Sequence, residues 1–207
     1  RVDANYHLKK TEECANKGIK LYHVFEYEWI NKRETVKRKI EQILGFVNDE
    51  NNILNECNIM EINEEIAKDF NEKNNLQGHF ASSLYIGGFY NGKLVSVISL
   101  SRENDNEWRL TRLTYNTNND TIIKKSMNYF IDKYKPHKIE AFDDRRWVVI
   151  QTDSIYNRLG FDFVEILPPD YGYTRGQNDY INKEKLKDCH LSNGHYKIYD
   201  CGSFNYI

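Results

Sequence analysis

Charged and aromatic side chains are most concentrated at residues 143–147, which are Asp143, Asp144, Arg145, Arg146 and Trp147. Guanidinium groups bind phosphate oxygens or base edges, and an indole ring stacks on bases. The same residues also have a structural interpretation, in which the aspartates pair with the arginines and the tryptophan packs in the core. In either case a strand must end just before this segment and present it.

Two further stretches are rich in cations. A helix predicted over residues 30–44 is basic, and residues 168–188 interleave tyrosines with lysines and an arginine. Cations neutralise phosphates and aromatic rings stack on bases, so we predict contacts to double- or single-stranded DNA. A solvated helix face and elements packed on a sheet are the alternatives, and Arg112 could equally be a buried partner of an acid. The predicted contact residues are Lys32, Arg33, Lys37, Arg38, Arg112, Arg145, Arg146, Trp147, Arg175 and Lys183.

Composition limits these functions. The 207 residues include 29 Lys and Arg against 31 Asp and Glu, for a net charge of -2, so only a local patch can attract nucleic acid. The four cysteines form no C-x-x-C pair and the six histidines show no i, i+4 spacing, so we predict no metal site. No apolar run approaches the length of a membrane span. We expect a cytoplasmic protein with reduced thiols and no membrane partner.

Hydrophobic spacing predicts an α/β chain in two parts, joined by a polar linker over residues 46–56. The first part is predicted as a helix over 5–17 closed by Gly18, a strand over 19–29 and the helix over 30–44 closed by Gly45. The second is predicted as a strand 57–62, a helix 63–74, a hairpin around Asn91-Gly92, a strand 107–115, a helix 120–134, a strand 138–142, a helix 150–158 and strands 161–166 and about 171–175. Ile66, Ala67 and Phe70 are expected to face inward from one helix, and Ile122, Ile123, Met127, Phe130 and Ile131 from another.

The order β-β-β-α-β-α-β, with Tyr156-Asn157-Arg158-Leu159-Gly160-Phe161 near its end, resembles the fold of the GNAT family of N-acetyltransferases. In that element Leu159 is expected to pack inward, Gly160 to form a left-handed C-cap and Phe161 to begin the next strand. We therefore predict an α/β (α+β) fold with a mixed, mostly antiparallel sheet flanked by helices.

This resemblance predicts where acetyl-CoA would bind, because such enzymes hold it on a glycine-rich turn at a helix N-terminus. The matching residues 115–126 contain no glycine, and Asp120 adds a negative charge. Asn118 and Asn119 can adopt left-handed conformations. If the chain is an acyltransferase, Asn118, Asn119 and Thr121 would hold the cofactor, and Tyr156 would protonate the departing thiolate. Otherwise Tyr156 packs with its hydroxyl at the edge of the core.

A wider resemblance is to phage-encoded homing endonucleases. Residues 5–29 look like the end of a Vsr-like nuclease domain, and the basic helix follows it. The later motifs, in order, are Leu76-Gln77-Gly78, Leu110-Thr111-Arg112, Asp144-Arg145-Arg146-Trp147, Tyr156–Phe161 and Ile198-Tyr199-Asp200-Cys201-Gly202. The resemblance implies a nuclease-domain end and basic helix over residues 1–46 and a GNAT-like domain with a basic, aromatic extension over 57–207.

The metal-binding acids of such a nuclease would lie upstream of Arg1, and Mg²⁺ would be used only there. Because the chain opens without Met, we expect a processed product or a fragment. The sequence therefore predicts the DNA-recognition region of a phage homing endonuclease-like protein in a bacterial cytoplasm, with no acyl transfer and no cofactor of its own. The alternatives are a GNAT-type N-acyltransferase that uses acetyl-CoA and a module that binds a host protein.

Overall fold

The computed structural model describes residues 3–46, 57–117, 120–176, 179–182 and 194–207. These residues form two compact units, one of Arg1–Arg33 with Phe142–Tyr206 and one of Glu34–Ala141 with Ile207. The units do not divide at the predicted linker, most of which lies outside the described residues. Instead, the segment up to Arg33 groups with the C-terminal part of the chain. We call the unit formed by Arg1–Arg33 and Phe142–Tyr206 the clasp unit, and the unit formed by Glu34–Ala141 and Ile207 the sheet unit.

The sheet unit contains five strands in the order β1-β2-β3-β4-β5, antiparallel as far as β4 and parallel between β4 and β5. Its elements are α3 (Arg33–Leu44), β1 (Cys57–Glu61), α4 (Glu64–Asn74), β2 (Leu84–Tyr90), β3 (Lys93–Asn104), β4 (Glu107–Tyr115), α5 (Asp120–Tyr134) and β5 (Lys138–Asp144), whose last residues belong to the clasp unit. The predicted hairpin is confirmed, with Asn91 and Gly92 at φ of 47° and 72° in the turn between β2 and β3.

Each long helix of the sheet unit buries a narrow stripe. Ala67 and Phe70 of α4 pack with Tyr85 and Val97, whereas Ile66, expected to face inward, is exposed. Ile66 precedes Ala67, and one residue rotates the side chain by about 100° around the helix. On α5 the buried residues are Ile122, Ile123, Met127 and Phe130. Ile131 is exposed, because residues four apart drift by about 40° and the stripe has turned away from the sheet at that point.

The clasp unit combines short helices with small antiparallel sheets. Its further elements are α1 (Tyr6–Ala15), α2 (Glu26–Asn31), a 3₁₀ turn (Gln151–Asp153), α6 (Ile155–Leu159), β6 (Phe163–Leu167), β7 (Tyr171–Gly176), β8 (Asp179–Asn182), β9 (Tyr196–Tyr199) and β10 (Ser203–Tyr206). Strand β10 pairs with β6, and β7 pairs with both β8 and β9. The mixed, mostly antiparallel sheet with flanking helices that the sequence predicts is therefore the fold class observed.

The helix ending predicted around Gly160 is confirmed, but its helix is shorter than expected. Gly160 has φ of 92° and caps α6, while Leu159 is half-buried and Phe161 is buried. The side chain of Ser154 accepts a hydrogen bond from the backbone N–H of Tyr156 at 3.1 Å, so α6 begins only after this cap. The next strand starts at residue 163 rather than 161.

The strand predicted over residues 19–29 is wrong. Residues 19–25 have no regular secondary structure, and Glu26–Asn31 form α2. The carboxylate of Glu28 accepts a hydrogen bond from the backbone N–H of Phe25 at 3.0 Å and so caps the start of this helix. The helix predicted over 30–44 is correspondingly divided, since α2 ends at Asn31 and α3 begins at Arg33.

Candidate functional site

Arg146 lies at the centre of a buried charge cluster in the clasp unit. Its guanidinium is 2.6 Å from Asp144 Oδ2, 2.9 Å from Glu28 Oε1 and 4.4 Å above the ring of Phe25. Arg146 is 5% exposed and Glu28 is 1% exposed. Burial lowers the pKa of Arg146, but the charges of Asp144 and Glu28 outweigh that effect and hold the pKa well above its usual value. The guanidinium is therefore charged, and it is paired with acidic side chains of its own chain.

Arg145 is also turned into the clasp unit. It is 6% exposed, with its guanidinium 3.6 Å from Glu12 and 5.1 Å above the ring of Phe204. Its backbone N–H donates to the carbonyl of Gly202 at 3.1 Å. Gly202 has φ of 79°, and a Cβ there would lie 2.1 Å from the carbonyl oxygen of Leu167. The Tyr-Asp-Cys-Gly motif is therefore hydrogen-bonded to Arg145 and packs tightly against the backbone at Leu167.

The DNA-contact prediction fails geometrically for this segment. Trp147 is buried like both arginines, so none of the three side chains faces a phosphate or a base in this conformation. The structural interpretation holds for Asp144, which pairs with Arg146, and for the core position of Trp147. The carboxylate of Asp143 accepts a hydrogen bond from the Ser154 hydroxyl at 2.6 Å.

The first helix of the clasp unit is joined to the last motif of the chain through histidines. The ring of His7 hydrogen-bonds the carbonyl of Tyr199 at 2.7 Å. The hydroxyl of Thr11 is 2.8 Å from His23 Nε2 and 3.4 Å from Cys201 Sγ. Burial, with the neighbouring charges of Arg146 and other cations, lowers the pKa of His23 to about 4. His23 is thus neutral at pH 7, and the burial raises the pKa of the Cys201 thiol.

The predicted basic helix carries its cations at exposed or half-buried positions. Arg33 lies 5.0 Å above the ring of Trp29, Lys37 is 2.9 Å from Glu34, and Arg38 donates to Asn74 Oδ1 at 3.1 Å. Lys32 is half-buried and Arg175 is exposed, whereas Lys183 lies outside the described residues. DNA contact by these residues stays a prediction.

Tyr156, the candidate acid, is a core residue of the clasp unit. It is buried, and its ring centroid is 5.5 Å from those of both Phe161 and Tyr206. This position agrees with the packing interpretation. A role for its hydroxyl in acyl transfer stays a prediction.

In the sheet unit, strand β4 changes its environment halfway along. Its parallel pairing with β5 joins Glu107–Leu110 to Lys138–Ala141 and then ends. We call Thr111–Tyr115 the distal half of β4. Among the strand pairings of the described residues, this half pairs with β3 alone.

A β-bulge marks the start of this distal half. Ser99 is opposite Arg112 and Leu100 is opposite Leu110, so Thr111 is the extra residue of β4. The Thr111 hydroxyl donates to the carbonyl of Ser99 at 2.9 Å. The bulge therefore re-aims the strand at the residue where pairing with β5 stops.

A turn joins the distal half of β4 to the N-terminus of α5. The backbone N–H of Asn116 donates to the carbonyl of Val95 at 3.0 Å, and α5 starts at Asp120 with Thr121 in its first turn. Asn118 and Asn119 lie outside the described residues. The N-terminus of a helix of this length favours anions, but the charge of Asp120 opposes one there.

The loop over residues 76–83 is hydrogen-bonded to the bulge of β4. Arg112 donates from Nε to the carbonyl of Gly78 at 2.9 Å and from Nη1 to that of Thr111 at 2.7 Å. The hydroxyls of Ser82 and Thr111 are 2.7 Å apart. Arg112 therefore joins the Leu-Gln-Gly and Leu-Thr-Arg motifs through carbonyl groups.

This loop brings His79 to Glu64, the first residue of α4. His79 Nε2 is 3.1 Å from Glu64 Oε1, and the negative charge of Glu64 adds to the effect of burial in raising the pKa of the nearby Tyr85. Tyr85 OH in turn accepts a hydrogen bond from the backbone N–H of Ser82 at 2.7 Å. Burial, the largest influence, raises the pKa of Tyr85, so its hydroxyl stays a donor at neutral pH. We call His79, Glu64 and Tyr85 the Glu64 cluster.

Sequence reasoning missed the Glu64 cluster. Its members come from a helix start, a loop and a strand, at spacings that match no catalytic motif. The predicted helix start at residue 63 was the available local signal, and it does not indicate which loop or strand would meet it.

Over the residues that the structure describes, no three His, Cys, Asp or Glu side chains are grouped to hold a metal ion. Within the same residues, no helix is long and apolar enough to cross a membrane.

No protein-family model matches the chain, and no curated protein matches it. Solved structures do. The chain is similar to a GNAT family acetyltransferase from Elizabethkingia anophelis with acetyl-CoA bound, at 11% identity and a TM-score of 0.43, over 73% of this chain and 97% of that one. It is similar to the ribosomal-protein-S18-alanine N-acetyltransferase from Escherichia coli, at 15% identity and a TM-score of 0.46, over 60% of this chain and 90% of that one.

A third similar structure is the IAA acetyltransferase from Bacillus cereus, at 14% identity and a TM-score of 0.43, over 72% of this chain and 97% of that one. Identities and TM-scores this low carry no argument about function. None of these matches concerns a Vsr-like nuclease or a homing endonuclease, so that resemblance stays a prediction.

Proposed function

We propose that the chain is a GNAT-type acyltransferase that takes its acyl group from an acyl-CoA such as acetyl-CoA. The observation that carries this proposal is the distal half of β4, which leaves its pairing with β5 at a bulge and runs to the N-terminus of α5. This function was the alternative at the level of sequence, and it accounts for more of the geometry than DNA recognition does.

The chemistry of coenzyme A suits such a strand. Its pantetheine arm is extended and contains two amide groups, which can pair with backbone N–H and C=O groups along a strand edge. An arm bound along the distal half of β4 would carry its thioester to one end and its diphosphate to the other. The bulge at Thr111 and the start of α5 at Asp120 lie at opposite ends of this stretch.

The helix N-terminus of α5 would receive the diphosphate. Exposed backbone N–H groups and the helix dipole favour a phosphate there, and Lys124 lies exposed in the following turn. The carboxylate of Asp120 works against this. We therefore expect weaker binding than a glycine-rich turn would provide, and the affinity should be sensitive to the charge at residue 120.

Calorimetric titration of the full chain with coenzyme A tests the proposal. Asp120→Asn should tighten binding by about twofold to fivefold, because one negative charge near a helix N-terminus affects an anion by up to ~1 kcal/mol. Asp132→Asn, the same change in an exposed residue of the last turns of α5, is the matched control and should leave the affinity unchanged.

Two outcomes would overturn the proposal. One is no binding of coenzyme A by the wild-type chain at millimolar concentration. The other is a gain in Asp120→Asn that appears equally with pantethine, which lacks the phosphates, because the charge would then act on something other than the diphosphate.

A further inference from the structure

The sheet formed by β7, β8 and β9 buries one of its two faces. Residues that lie opposite each other in antiparallel strands point to the same face, so the register assigns each side chain to a face. Thr174 of β7 is opposite Tyr180 of β8 and Tyr196 of β9. Thr174 and Gly172 are buried, and the ring of Tyr180 stacks on that of Tyr27 with 4.0 Å between centroids. This face therefore packs within the clasp unit.

The other face of the same sheet carries three tyrosines and a lysine. Tyr171 is opposite Tyr199, and Tyr173 is opposite Lys197. The three tyrosines are partly exposed, and Lys197 is exposed. The ring centroid of Tyr171 is 5.7 Å from that of Tyr173 and 5.5 Å from that of Tyr199. We call these four residues the tyrosine face, because their neighbouring rings form one aromatic surface.

Positive charge lies directly on this aromatic surface. Lys197 Nζ is 4.0 Å from the ring centroid of Tyr171 and 5.9 Å from that of Tyr173. Arg175, near the end of β7, is also exposed. Aromatic rings stack on nucleic-acid bases, and cations beside them neutralise phosphates. The tyrosine face thus combines both kinds of group within one small sheet.

From this arrangement we infer that the tyrosine face binds single-stranded nucleic acid, DNA or RNA, with bases stacked on its rings and phosphates at Lys197. The flexible lysine side chain can leave the Tyr171 ring for a phosphate while a base takes its place. The ring planes of Tyr171 and Tyr173 differ by 85°, and those of Tyr171 and Tyr199 by 55°. Unpaired bases can turn independently to meet such rings, whereas the bases of a duplex are stacked on one another.

The strand register also separates the tyrosines of residues 168–188, which sequence alone treats as one group. Tyr180 is stacked on Tyr27 and belongs to the packed face, so the inference excludes it. Tyr171 and Tyr173 belong to the partly exposed face and are joined there by Tyr199, which comes from a later strand. This binding is distinct from the proposed acyl transfer and does not depend on it.

Fluorescence anisotropy of the full chain with labelled oligonucleotides tests the inference. Oligothymidine and oligouridine of about 12 nucleotides have a length typical of such sites. At least one of them should bind with a Kd of about 1–100 µM at about 0.1 M salt. An abasic strand of the same length keeps the phosphates but offers no base, so it should bind at least about fivefold more weakly. No binding of either oligonucleotide, or equal binding of the abasic strand, would overturn the inference.

Substitution of Tyr173 separates stacking from general attraction. Tyr173→Ala should weaken binding of the preferred oligonucleotide at least about fivefold and leave the abasic strand unaffected, whereas Tyr173→Phe keeps a ring and should stay within about twofold. Tyr196→Ala is the matched control, because Tyr196 is 49% exposed and belongs to the opposite face of the same sheet. Equal losses in Tyr173→Ala and Tyr196→Ala, with both chains folded by circular dichroism, would contradict stacking on the tyrosine face.

The salt dependence of binding tests Lys197 without disturbing the rings. Lys197→Gln should reduce the slope of log affinity against log salt concentration by about 0.7, the value for one phosphate contact on a single strand. Lys17→Gln, at an exposed lysine of the same unit, is the control and should leave the slope unchanged. An unchanged slope in Lys197→Gln overturns the inference even if Tyr173→Ala fails to fold. If these tests succeed and coenzyme A does not bind, the proposed function alone fails.

Discussion

Arg146 in the clasp unit and Glu64 in the sheet unit both contact other polar side chains. They differ in burial and in whether an opposite charge compensates them. Arg146 is buried between two carboxylates, and its charge is compensated within the chain. Glu64 is more than half exposed, and among the described residues no lysine or arginine forms an ion pair with it. A compensated, buried charge restrains the polypeptide, whereas an exposed charge with fixed geometry and no cation is available to a ligand. Of the cations that sequence alone assigns to DNA, Arg146 belongs to the first kind.

The largest expected effect is on the clasp unit. Arg146→Ala would leave Glu28 and Asp144 without their buried partner and should lower the free energy of unfolding by about 3–5 kcal/mol. Urea denaturation followed by circular dichroism measures this loss. Arg102→Ala, which removes an exposed pair with Asp105 at 3.7 Å, is the control and should cost less than about 0.5 kcal/mol.

A loss of under about 1 kcal/mol in Arg146→Ala would contradict the comparison, because a buried pair that costs so little to break cannot be restraining the chain. Loss of DNA affinity at unchanged stability would instead restore the interpretation of Arg146 as a nucleic-acid contact.

A smaller effect is expected from pH. The pKa of His23 in the folded protein is about 4, below the value near 6.5 for an exposed histidine, so the unfolded chain binds more protons between these values. The stability contributed by neutral His23 is thus complete above pH 6.5 and is lost as the pH falls toward 4. The loss should reach roughly 1–2 kcal/mol once the partial exposure of the ring is allowed for.

Urea denaturation at pH 7, 6 and 5 measures this dependence, and His23→Asn should remove most of it. His137→Asn, at an exposed histidine of the sheet unit, should leave the wild-type slope intact. If His23→Asn keeps the slope, the acid sensitivity arises from another group and His23 is not held neutral by burial.

The smallest expected effect is the change in stability when Glu64 is replaced. Glu64→Gln should change the free energy of unfolding by no more than about 0.5 kcal/mol, because the carboxylate is exposed and glutamine keeps an oxygen for His79. Thermal or urea denaturation checks this. A loss comparable to that of Arg146→Ala would show that the Glu64 cluster is a second structural restraint rather than an accessible charge.

Much of the secondary structure could be predicted because its signals are local. Gly18 and Gly160 lie at helix ends with φ of 73° and 92°, as the sequence predicts, and Asn91-Gly92 forms the expected hairpin turn. The apolar stripes predict α4 and α5 to within one residue of their bounds. These features depend on residues at most a few positions apart, which is why spacing alone is sufficient for them.

The error over residues 19–29 has the opposite cause. Alternation of apolar and polar side chains predicts a strand there, but Glu28 caps a helix and is buried by its ion pair with Arg146, a residue far along the chain. Local propensity cannot include that partner. The same limit applies to Arg145 and Trp147, whose composition is compatible with a binding surface until the fold buries them.

The sequence by itself determined the fold class, the main helices of the sheet unit and the hairpin, through hydrophobic period and turn chemistry that act over short range. Only the tertiary structure decided which charged side chains are paired within the chain and which are accessible to a ligand. Arg146 is compensated because a distant segment brings Glu28 to it, beside the neighbouring Asp144, whereas no lysine or arginine of the described residues pairs with Glu64. Electrostatic compensation depends on distances between segments that are remote in sequence, so it exists only once the chain has folded.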